Sequence, residues 1–341
     1  MELKELKRFG VAILNLQRQS AFEKCLALDI SCPAKVIRAH SVQSSFILDK
    51  LVQNGHVYMF KCKNDGFVKL ELTGKNHATT FTGFCQPHDS ELFNEVDFSL
   101  ENRFDPNSKR QILLLSLRAI SREYWSKLNT LKMYKSILNL VHKLDINGVR
   151  QLFNSPSLDE HIIINIKEPL KQFIVNTKES IFRIQKLYSS LQTLTQSNKY
   201  HLMHFHAFKI DEKASIAVSS VFIPEFDLDG KRLNALQLPR DFTSVILTVL
   251  PSDSGTYALF TFHKRHAQIL TPLFNQIDAL DENDLKQVLS KMVLMHCENT
   301  VLAPRMVDSL TDEQHNNLEQ FFFETTLKAI PYNPAPDVSL F

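Results

Sequence analysis

The sequence predicts an α+β fold in three regions, and a different pattern marks each region. Residues 1–105 combine short alternating apolar runs with four cysteines and several histidines. Residues 106–200 carry apolar side chains at spacings of three and four, and residues 201–341 return to alternating runs before two helical patterns. Alternation is typical of strands, and the longer spacing is typical of helices. We therefore expect three domains with these bounds: a zinc-binding module, a long helical hairpin, and a C-terminal mixed sheet with helices.

Two apolar stripes in the middle region predict the hairpin. The first extends from Leu114 to Leu144 and the second from Leu170 to Leu194. Asn147-Gly148 lies between them and has the composition of a connecting loop, as do residues 154–157. The second stripe is long enough for a seam between two copies of the chain, and packing within one chain is the interpretation that we favour.

Strands and two helices are predicted in the third region. Its strand segments are rich in β-branched and apolar residues, and Pro251 to Gly255 has the composition of a hairpin turn. Asp281 and Thr311 are residues that often cap the start of a helix. The predicted strands are 214–223, 244–250 and 256–263, and the predicted helices are 281–297 and 311–329.

The composition is that of a folded protein. The chain has 341 residues and a mass of 39.3 kDa, with 44% hydrophobic and 22% charged residues, which excludes a mostly disordered chain. No stretch approaches the ~18 uninterrupted apolar residues of a membrane-spanning helix. The charged start MELKELKRFG leads into no long apolar segment, so we expect no secretion signal. We predict a cytoplasmic protein with no membrane partner.

Charge is distributed unevenly along the chain. Residues 111–209 hold 14 Lys and Arg against 6 Asp and Glu, a net charge of +8, whereas residues 210–341 hold 10 against 18, a net charge of −8. A basic block of this kind attracts a polyanion such as DNA or RNA. The alternative is that the basic block faces the acidic block, either in the same chain or in a second copy.

Several enzyme classes lack their motifs in this sequence. It contains no GxxxxGK[ST] phosphate loop, no GxGxxG, no GxSxG and no HExxH. Only eight glycines are available for phosphate-binding loops. We therefore expect neither ATP-dependent nor dinucleotide-dependent chemistry.

Cysteine and histidine spacing predicts a zinc site. Five cysteines, an odd number, argue against a disulfide framework in a cytoplasmic protein. Cys85-x2-His88 has the spacing of a ligand pair at a turn entering a helix, and Cys25 with Cys32 can supply the second pair of a tetrahedral site. The gap of six residues between Cys25 and Cys32 is longer than usual, and four unrelated buried residues are the alternative.

Two cysteines are left out of this predicted site. Cys62 ends an apparent strand over residues 57–62, and we interpret it as a spare thiol that could replace Cys25 or Cys32 as a ligand. Cys297 follows His296 at the end of a predicted helix. Neighbouring helical residues do not face each other, so these two side chains are not expected to form a nucleophile–base pair.

The order of these residues resembles the zinc-stabilised HNH endonucleases, which have a treble-clef-like ββα core. The resemblance covers about residues 20–97. Cys25 and Cys32 stand where the family has its first cysteine pair, Ala39-His40 where it has Asp-His, and Cys85-x2-His88-Asp89 where it has Cys-x2-Cys-His. The segments AHSV and GFCQPHD are also similar to segments of bacterial proteins without an assigned function.

The resemblance implies a metal-dependent nuclease chemistry. His40 would act as general base, and Asp89 with His77 would hold a catalytic Mg²⁺ or Mn²⁺, while a separate Zn²⁺ is structural. Ala39 replaces the acidic residue that the family uses for the catalytic metal. The function that we expect is therefore cleavage or binding of DNA or RNA, as in prokaryotic defence. The alternative is a non-catalytic, zinc-stabilised interaction or regulatory protein with a protein partner or as a homodimer.

Polar residues near the end of the third region predict one further contact. Glu298, Asn299 and Arg305 follow a predicted helix and are expected to form a polar network that ties this helix end to the sheet. In the basic block, Arg118 and Glu123 interrupt an apolar helical stripe, which favours a buried or interfacial ion pair.

Overall fold

The computed structural model describes residues 22–27, 32–62, 68–98, 103–152, 159–213, 215–234, 243–325 and 338–341. It confirms the α+β class. A two-stranded sheet pairs β1 with β4, and a second sheet has seven strands. The strands are β1 (Val36–His40), β2 (His56–Cys62), β3 (Val68–Gly74), β4 (Thr80–Cys85), β5 (Met203–Ile210), β6 (Ile216–Phe222), β7 (Val245–Ser252), β8 (Gly255–His263) and β9 (Thr300–Leu302).

Two long helices and several shorter ones complete the fold, and four single 3₁₀ turns lie between elements. The predicted helical hairpin is confirmed, since α2 and α5 pack against each other along their lengths. The helices are α1 (Gln86–Phe93), α2 (Lys109–His142), α3 (Ile146–Leu152), α4 (Glu160–Asn165), α5 (Lys167–Ser197), α6 (Ala267–Asp278), α7 (Glu282–His296), α8 (Pro304–Val307) and α9 (Asp312–Thr325).

Capping explains where the helices begin. The Ser108 hydroxyl accepts the Gln111 backbone N–H at 3.2 Å at the start of α2, and the Asp281 carboxylate accepts the Asp284 N–H at 2.9 Å at the start of α7. The loop predicted at Asn147-Gly148 is wrong, because these residues belong to the short helix α3. The Asp145 carboxylate accepts the Gly148 N–H at 2.7 Å and starts that helix. Residues 153–158, which contain the other predicted loop, lie outside the described residues.

The seven-stranded sheet joins the first and third regions of the chain. Its order is β3-β2-β9-β6-β7-β8-β5, and each neighbouring pair runs antiparallel. Strands β2 and β3 come from the insertion between β1 and β4. They reach the rest of the sheet through β9, where Met59 pairs with Val301. Strand β9 has only three residues and was not predicted.

The predicted hairpin between β7 and β8 is confirmed, and its turn depends on a glycine. Ser252 pairs with Gly255, whose φ is +127°. A Cβ at this position would lie 2.3 Å from the Ile210 carbonyl oxygen. Only glycine therefore fits where β5 and β8 meet.

Alternation along the strands builds a core on each face of the sheet. On β7, Ile246 and Leu250 pack with the helical hairpin and the N-terminal strands, whereas Leu247 and Val249 pack with α6, α7 and α9. Successive strand residues point to opposite faces, so a strand buried on both faces is apolar throughout. In the described residues no helix is both long and apolar enough to cross a membrane.

Candidate metal centre

The structure brings the four predicted ligands together. Cys25, Cys32, Cys85 and His88 each offer one ligand atom, and these atoms lie within 4.8 Å of one another. The Sγ of Cys85 is 3.8 Å from that of Cys25, 3.6 Å from that of Cys32 and 3.2 Å from Nδ1 of His88. Nδ1 of His88 is also 3.3 Å from Sγ of Cys25.

The two sulfur–sulfur distances fit the edges of a metal-centred tetrahedron, and the two sulfur–nitrogen distances are slightly shorter than such edges. Metal–sulfur bonds of about 2.3 Å and metal–nitrogen bonds of about 2.0 Å give edges of roughly 3.5–3.8 Å. A disulfide would instead bring two sulfur atoms to about 2.05 Å, and all three cysteines are free. The arrangement is therefore that of a four-coordinate metal site with three thiolate ligands and one imidazole ligand.

Local backbone structure explains the Cys85–His88 pair. Cys85 is the last residue of β4 and also caps α1, and Pro87 occupies the first turn, where its missing N–H costs no helical bond. The three-residue spacing puts His88 one turn further, on the same side as Cys85. The end of β4 and the start of α1 therefore place the Cys85 and His88 side chains close together.

Long-range contacts position the first cysteine pair. The Leu26 N–H donates to the Gly83 carbonyl at 2.7 Å, which sets the Cys25 segment beside β4. The Tyr188 hydroxyl of α5 donates to the Leu26 carbonyl on the other side. Cys32 precedes β1 and approaches Cys85 from there. Residues 28–31, between the two cysteines, lie outside the described residues.

The pKa values of the Cys25 and Cys85 thiols are shifted in opposite directions. Burial by itself raises the pKa of Cys85, but hydrogen bonds from the His88 N–H and from the thiols of Cys32 and Cys25 outweigh it, so the pKa is lowered. For Cys25 burial dominates and the pKa is raised. Thiolates are the metal-binding form of cysteine, and the lowered pKa of Cys85 favours that form.

The remaining cysteines are placed apart from this cluster. Cys62 ends β2, in agreement with the predicted strand, and its side chain lies outside what the structure describes. Cys297 is 1% exposed, and burial raises the pKa of its thiol to about 12. It is thus a core residue with little thiolate at neutral pH.

His40 and Asp89, two of the predicted catalytic residues, both lie within reach of the positive charge of Arg118. His40 is the last residue of β1, and Asp89 is in the first turn of α1. Nδ1 of His40 and Oδ1 of Asp89 are buried and have no hydrogen-bond partner. Burial, with a smaller contribution from the positive charges of Arg118 and Lys75, lowers the pKa of His40. Burial also raises the pKa of Asp89, against the opposing effect of Arg118.

Arg118 of α2 supplies the charge that both residues experience. Its side chain is only 4% exposed, and its Nη2 donates to Asp97 at 2.8 Å. Its guanidinium lies 4.3 Å from the centre of the Phe93 ring. The ion pair expected for Arg118 therefore forms with Asp97, while Glu123 pairs with Lys127 at 3.1 Å.

His77 is the third predicted catalytic residue. It is exposed in the turn between β3 and β4, where its N–H donates to the Gly74 carbonyl at 2.9 Å. No hydrogen bond or ion pair joins it to Asp89 in the part of the chain that the structure describes. The catalytic roles of His40, Asp89 and His77 stay predictions.

A buried hydrogen-bond network connects this region to the large sheet. Asn299 donates to the Ser41 hydroxyl at 2.9 Å and to the Ser219 carbonyl at 2.8 Å, and Ser41 donates to the Thr79 carbonyl at 2.9 Å. Thr79 has a φ of +58°, which is rare for a β-branched residue. The predicted role of Asn299 as a tie to the sheet is confirmed.

Sequence reasoning missed Asp97 and Thr79. The only signal for Asp97 was Arg118 in an apolar stripe, which indicates a partner without identifying it.

A scan against protein-family models gave no match, and no curated protein or solved structure matches this chain.

Proposed function

We propose that this protein is a zinc-stabilised, non-catalytic regulatory or interaction protein. The observation that carries the proposal is the convergence of three cysteine sulfurs and one imidazole nitrogen within 4.8 Å. Zinc is the metal that most often occupies tetrahedral Cys₃His sites, and four protein ligands leave no open position for substrate. The metal is therefore structural.

The site would act as a staple between separate segments. It would join the Cys25 segment, the residues just before β1, the end of β4 and the first turn of α1. Strands β1 and β4 with helix α1 are here called the ββα unit. Such sites contribute their binding free energy directly to folding.

Two features favour a non-catalytic protein. Ala39 stands where the resembling nucleases have an acidic metal ligand, and the buried Arg118 places a positive charge beside His40 and Asp89. A cation in this position repels a divalent metal ion. In the described ranges, the Cys25–His88 cluster is the only group of three or more His, Cys, Asp or Glu side chains close enough to hold a metal.

The test is the zinc content of protein purified without chelators, measured by elemental analysis. We expect about one zinc per chain in the wild type and in Cys297→Ser, and a loss of most of it in Cys32→Ser. Cys297 is the matched control because it is a buried cysteine outside the cluster. A wild type without zinc, or equal zinc in both variants, contradicts the proposal.

Phosphodiester cleavage at His40 is the second candidate function, and one observation favours it. His40 is the last residue of β1, and its buried Nδ1 has no hydrogen-bond partner. Its lowered pKa keeps the imidazole neutral at pH 7, the form that accepts a proton from water. DNA and RNA are the substrates that the resemblance implies.

Plasmid nicking in Mg²⁺ or Mn²⁺ separates the two candidates. Nicking by the wild type that is lost in His40→Ala and kept in His56→Ala, with zinc retained in both variants, would establish the nuclease. His56 is an exposed histidine at the start of β2 and serves as control. If the wild type neither nicks DNA nor cleaves RNA, the non-catalytic proposal stands, whereas equal cleavage by His40→Ala would exclude His40 as the general base and contradict the non-catalytic proposal as well.

A further inference from the structure

A cavity of about 280 Å³ lies between the helical hairpin and one end of the large sheet. Its walls come from α2, from α5, from the end of β6 and the residue before β7, and from the end of β8 with the 3₁₀ turn Lys264–His266 that follows it. It is therefore on a different part of α2 from Arg118, which pairs with Asp97. Its volume is close to the lower end of the range for small-molecule sites.

Positive charge is concentrated around this cavity. Four Lys and Arg side chains line it against one carboxylate, that of Glu123: the four are Lys127, Arg183, Lys186 and Arg265. Three of them belong to the basic middle region, and Arg265 comes from the otherwise acidic third region. Cations from the basic middle region and from the acidic third region therefore lie together at this cavity.

Two of these cations have carboxylate neighbours. Glu123 pairs with Lys127 at 3.1 Å, and Glu179 approaches Arg183 at 3.6 Å from an exposed position. The Arg265 Nε donates to Nε2 of His266 at 3.0 Å.

A fifth cation lies next to the lining residues. Arg122 precedes Glu123 on α2, and its Nε is buried without a hydrogen-bond partner. The negative charges of Glu123 and Glu298 stabilise the charged form of the Arg122 guanidinium against the effect of burial on its pKa.

Apolar residues also line the cavity. Val221 and Phe222 at the end of β6 and Ile184 and Leu187 of α5 contribute side chains to it. Phe182, also from α5, is 69% exposed at the cavity. An exposed aromatic ring beside a basic wall is suited to a flat ligand that carries an anionic group.

We infer that this cavity binds a small phosphorylated molecule with an apolar or aromatic body. The phosphate would contact Arg183, Lys186 and Arg265, since guanidinium and ammonium groups form charge-assisted hydrogen bonds with phosphate oxygens. The body would lie along Phe222 and Leu187. The inference is independent of the zinc centre and of His40, because none of those residues lines the cavity.

Two sources of phosphate share this chemistry, a free nucleotide and a nucleic-acid backbone. A 280 Å³ cavity with walls from three parts of the chain suits a molecule the size of a mononucleotide. Polymer binding instead uses an extended groove and is strongly salt-dependent. The proposal therefore commits to the small molecule.

Isothermal titration with AMP, inorganic phosphate, adenosine and a 20-nucleotide single strand tests it on the full-length protein. We expect one AMP site per chain, weaker binding of phosphate, and adenosine binding at least about tenfold weaker than AMP. Lys186→Glu should weaken AMP binding by more than about tenfold, while zinc content stays unchanged. Lys178→Glu is the matched control, because Lys178 is exposed on the same helix and does not line the cavity.

Three outcomes would overturn the inference. They are no saturable binding of AMP or phosphate at millimolar concentrations, equal loss of binding in Lys186→Glu and Lys178→Glu, and binding of the single strand that AMP does not compete away. A wild type that lacks zinc but binds AMP would contradict the proposed function and leave this inference intact.

Discussion

The ββα unit around the metal centre and the seven-stranded sheet are stabilised in different ways. In the sheet, β7 and β8 are buried along nearly their whole length and belong to apolar cores on both faces. In the ββα unit, β1 has one buried residue of five, and α1 buries only Phe93. The ββα unit nevertheless buries the apolar side chains of Phe81 and Phe84 on β4, and the four converging ligands would add a second source of stability to this packing.

The two regions are nevertheless connected in space. The insertion between β1 and β4 supplies β2 and β3 to the large sheet, and Asn299 bonds across to Ser41. Loss of the metal is thus expected to loosen the ββα unit first and then to reach the sheet through β2.

The largest expected effect is that of removing a metal ligand. Cys85→Ser should lower the free energy of unfolding by more than about 4 kcal/mol, because a structural metal contributes its binding energy to folding. Denaturant unfolding followed by circular dichroism measures the change, with Cys297→Ser as control. Limited proteolysis should cut residues 22–98 before residues 243–325. A Cys85→Ser protein as stable as the control would show that the ββα unit is held by its apolar residues alone.

The connection between the two regions is tested by Asn299→Ala. Two buried acceptors, the Ser41 hydroxyl and the Ser219 carbonyl, lose their donor, which costs about 3 kcal/mol. Zinc content should not change, because Asn299 is not a ligand. Thermal unfolding measures the effect, and a change within about 0.5 kcal/mol would mean that the two regions are stabilised independently.

A pH effect is expected from the core of the sheet. His296 stacks on Phe222 at a centroid distance of 4.6 Å, and burial lowers its pKa to about 4. The unfolded chain, with a histidine pKa near 6.5, binds this proton more readily, so stability is present above pH 6.5 and is lost as the pH falls toward 4. Between pH 7 and pH 5 the loss is about 2 kcal/mol.

His296→Phe isolates this contribution, because phenylalanine keeps an aromatic ring on Phe222 and does not titrate. Urea unfolding at pH 7 and pH 5 should show a smaller loss in the variant than in the wild type. Equal losses would assign the pH sensitivity to other groups, including the metal ligands.

The smallest expected effect is that of an exposed ion pair between the regions. Lys50 pairs with Asp253 of the β7–β8 turn at 2.5 Å, and more than half of the Asp253 side chain is exposed. Exposed pairs contribute between 0 and about 1 kcal/mol. Lys50→Ala should therefore shift the unfolding midpoint far less than Asn299→Ala. A shift of the same size would mean that this ion pair contributes more to stability than exposed pairs usually do.

Local patterns were sufficient to predict much of the fold and the metal ligands. Cys85-x2-His88 could be recognised because its spacing alone determines that both side chains meet at a helix start. The bounds of α7 followed from the capping residue Asp281, whereas the stripe from Leu114 to Leu144 predicted that α2 exists but not that it begins at Lys109. Strand β9 could not be predicted, because three residues carry too little pattern and this strand exists only by pairing with β2 and β6.

The sequence by itself determined which residues can bind a metal and where the two long helices and α7 lie, since both depend on neighbours a few positions away. Only the tertiary structure decided what surrounds them. Arg118 is placed beside His40 and Asp89, and the basic cavity is assembled from residues 123 to 266. Ser41 meets Asn299 across 258 positions of the chain. Such contacts depend on how the layers pack, and no local spacing encodes them.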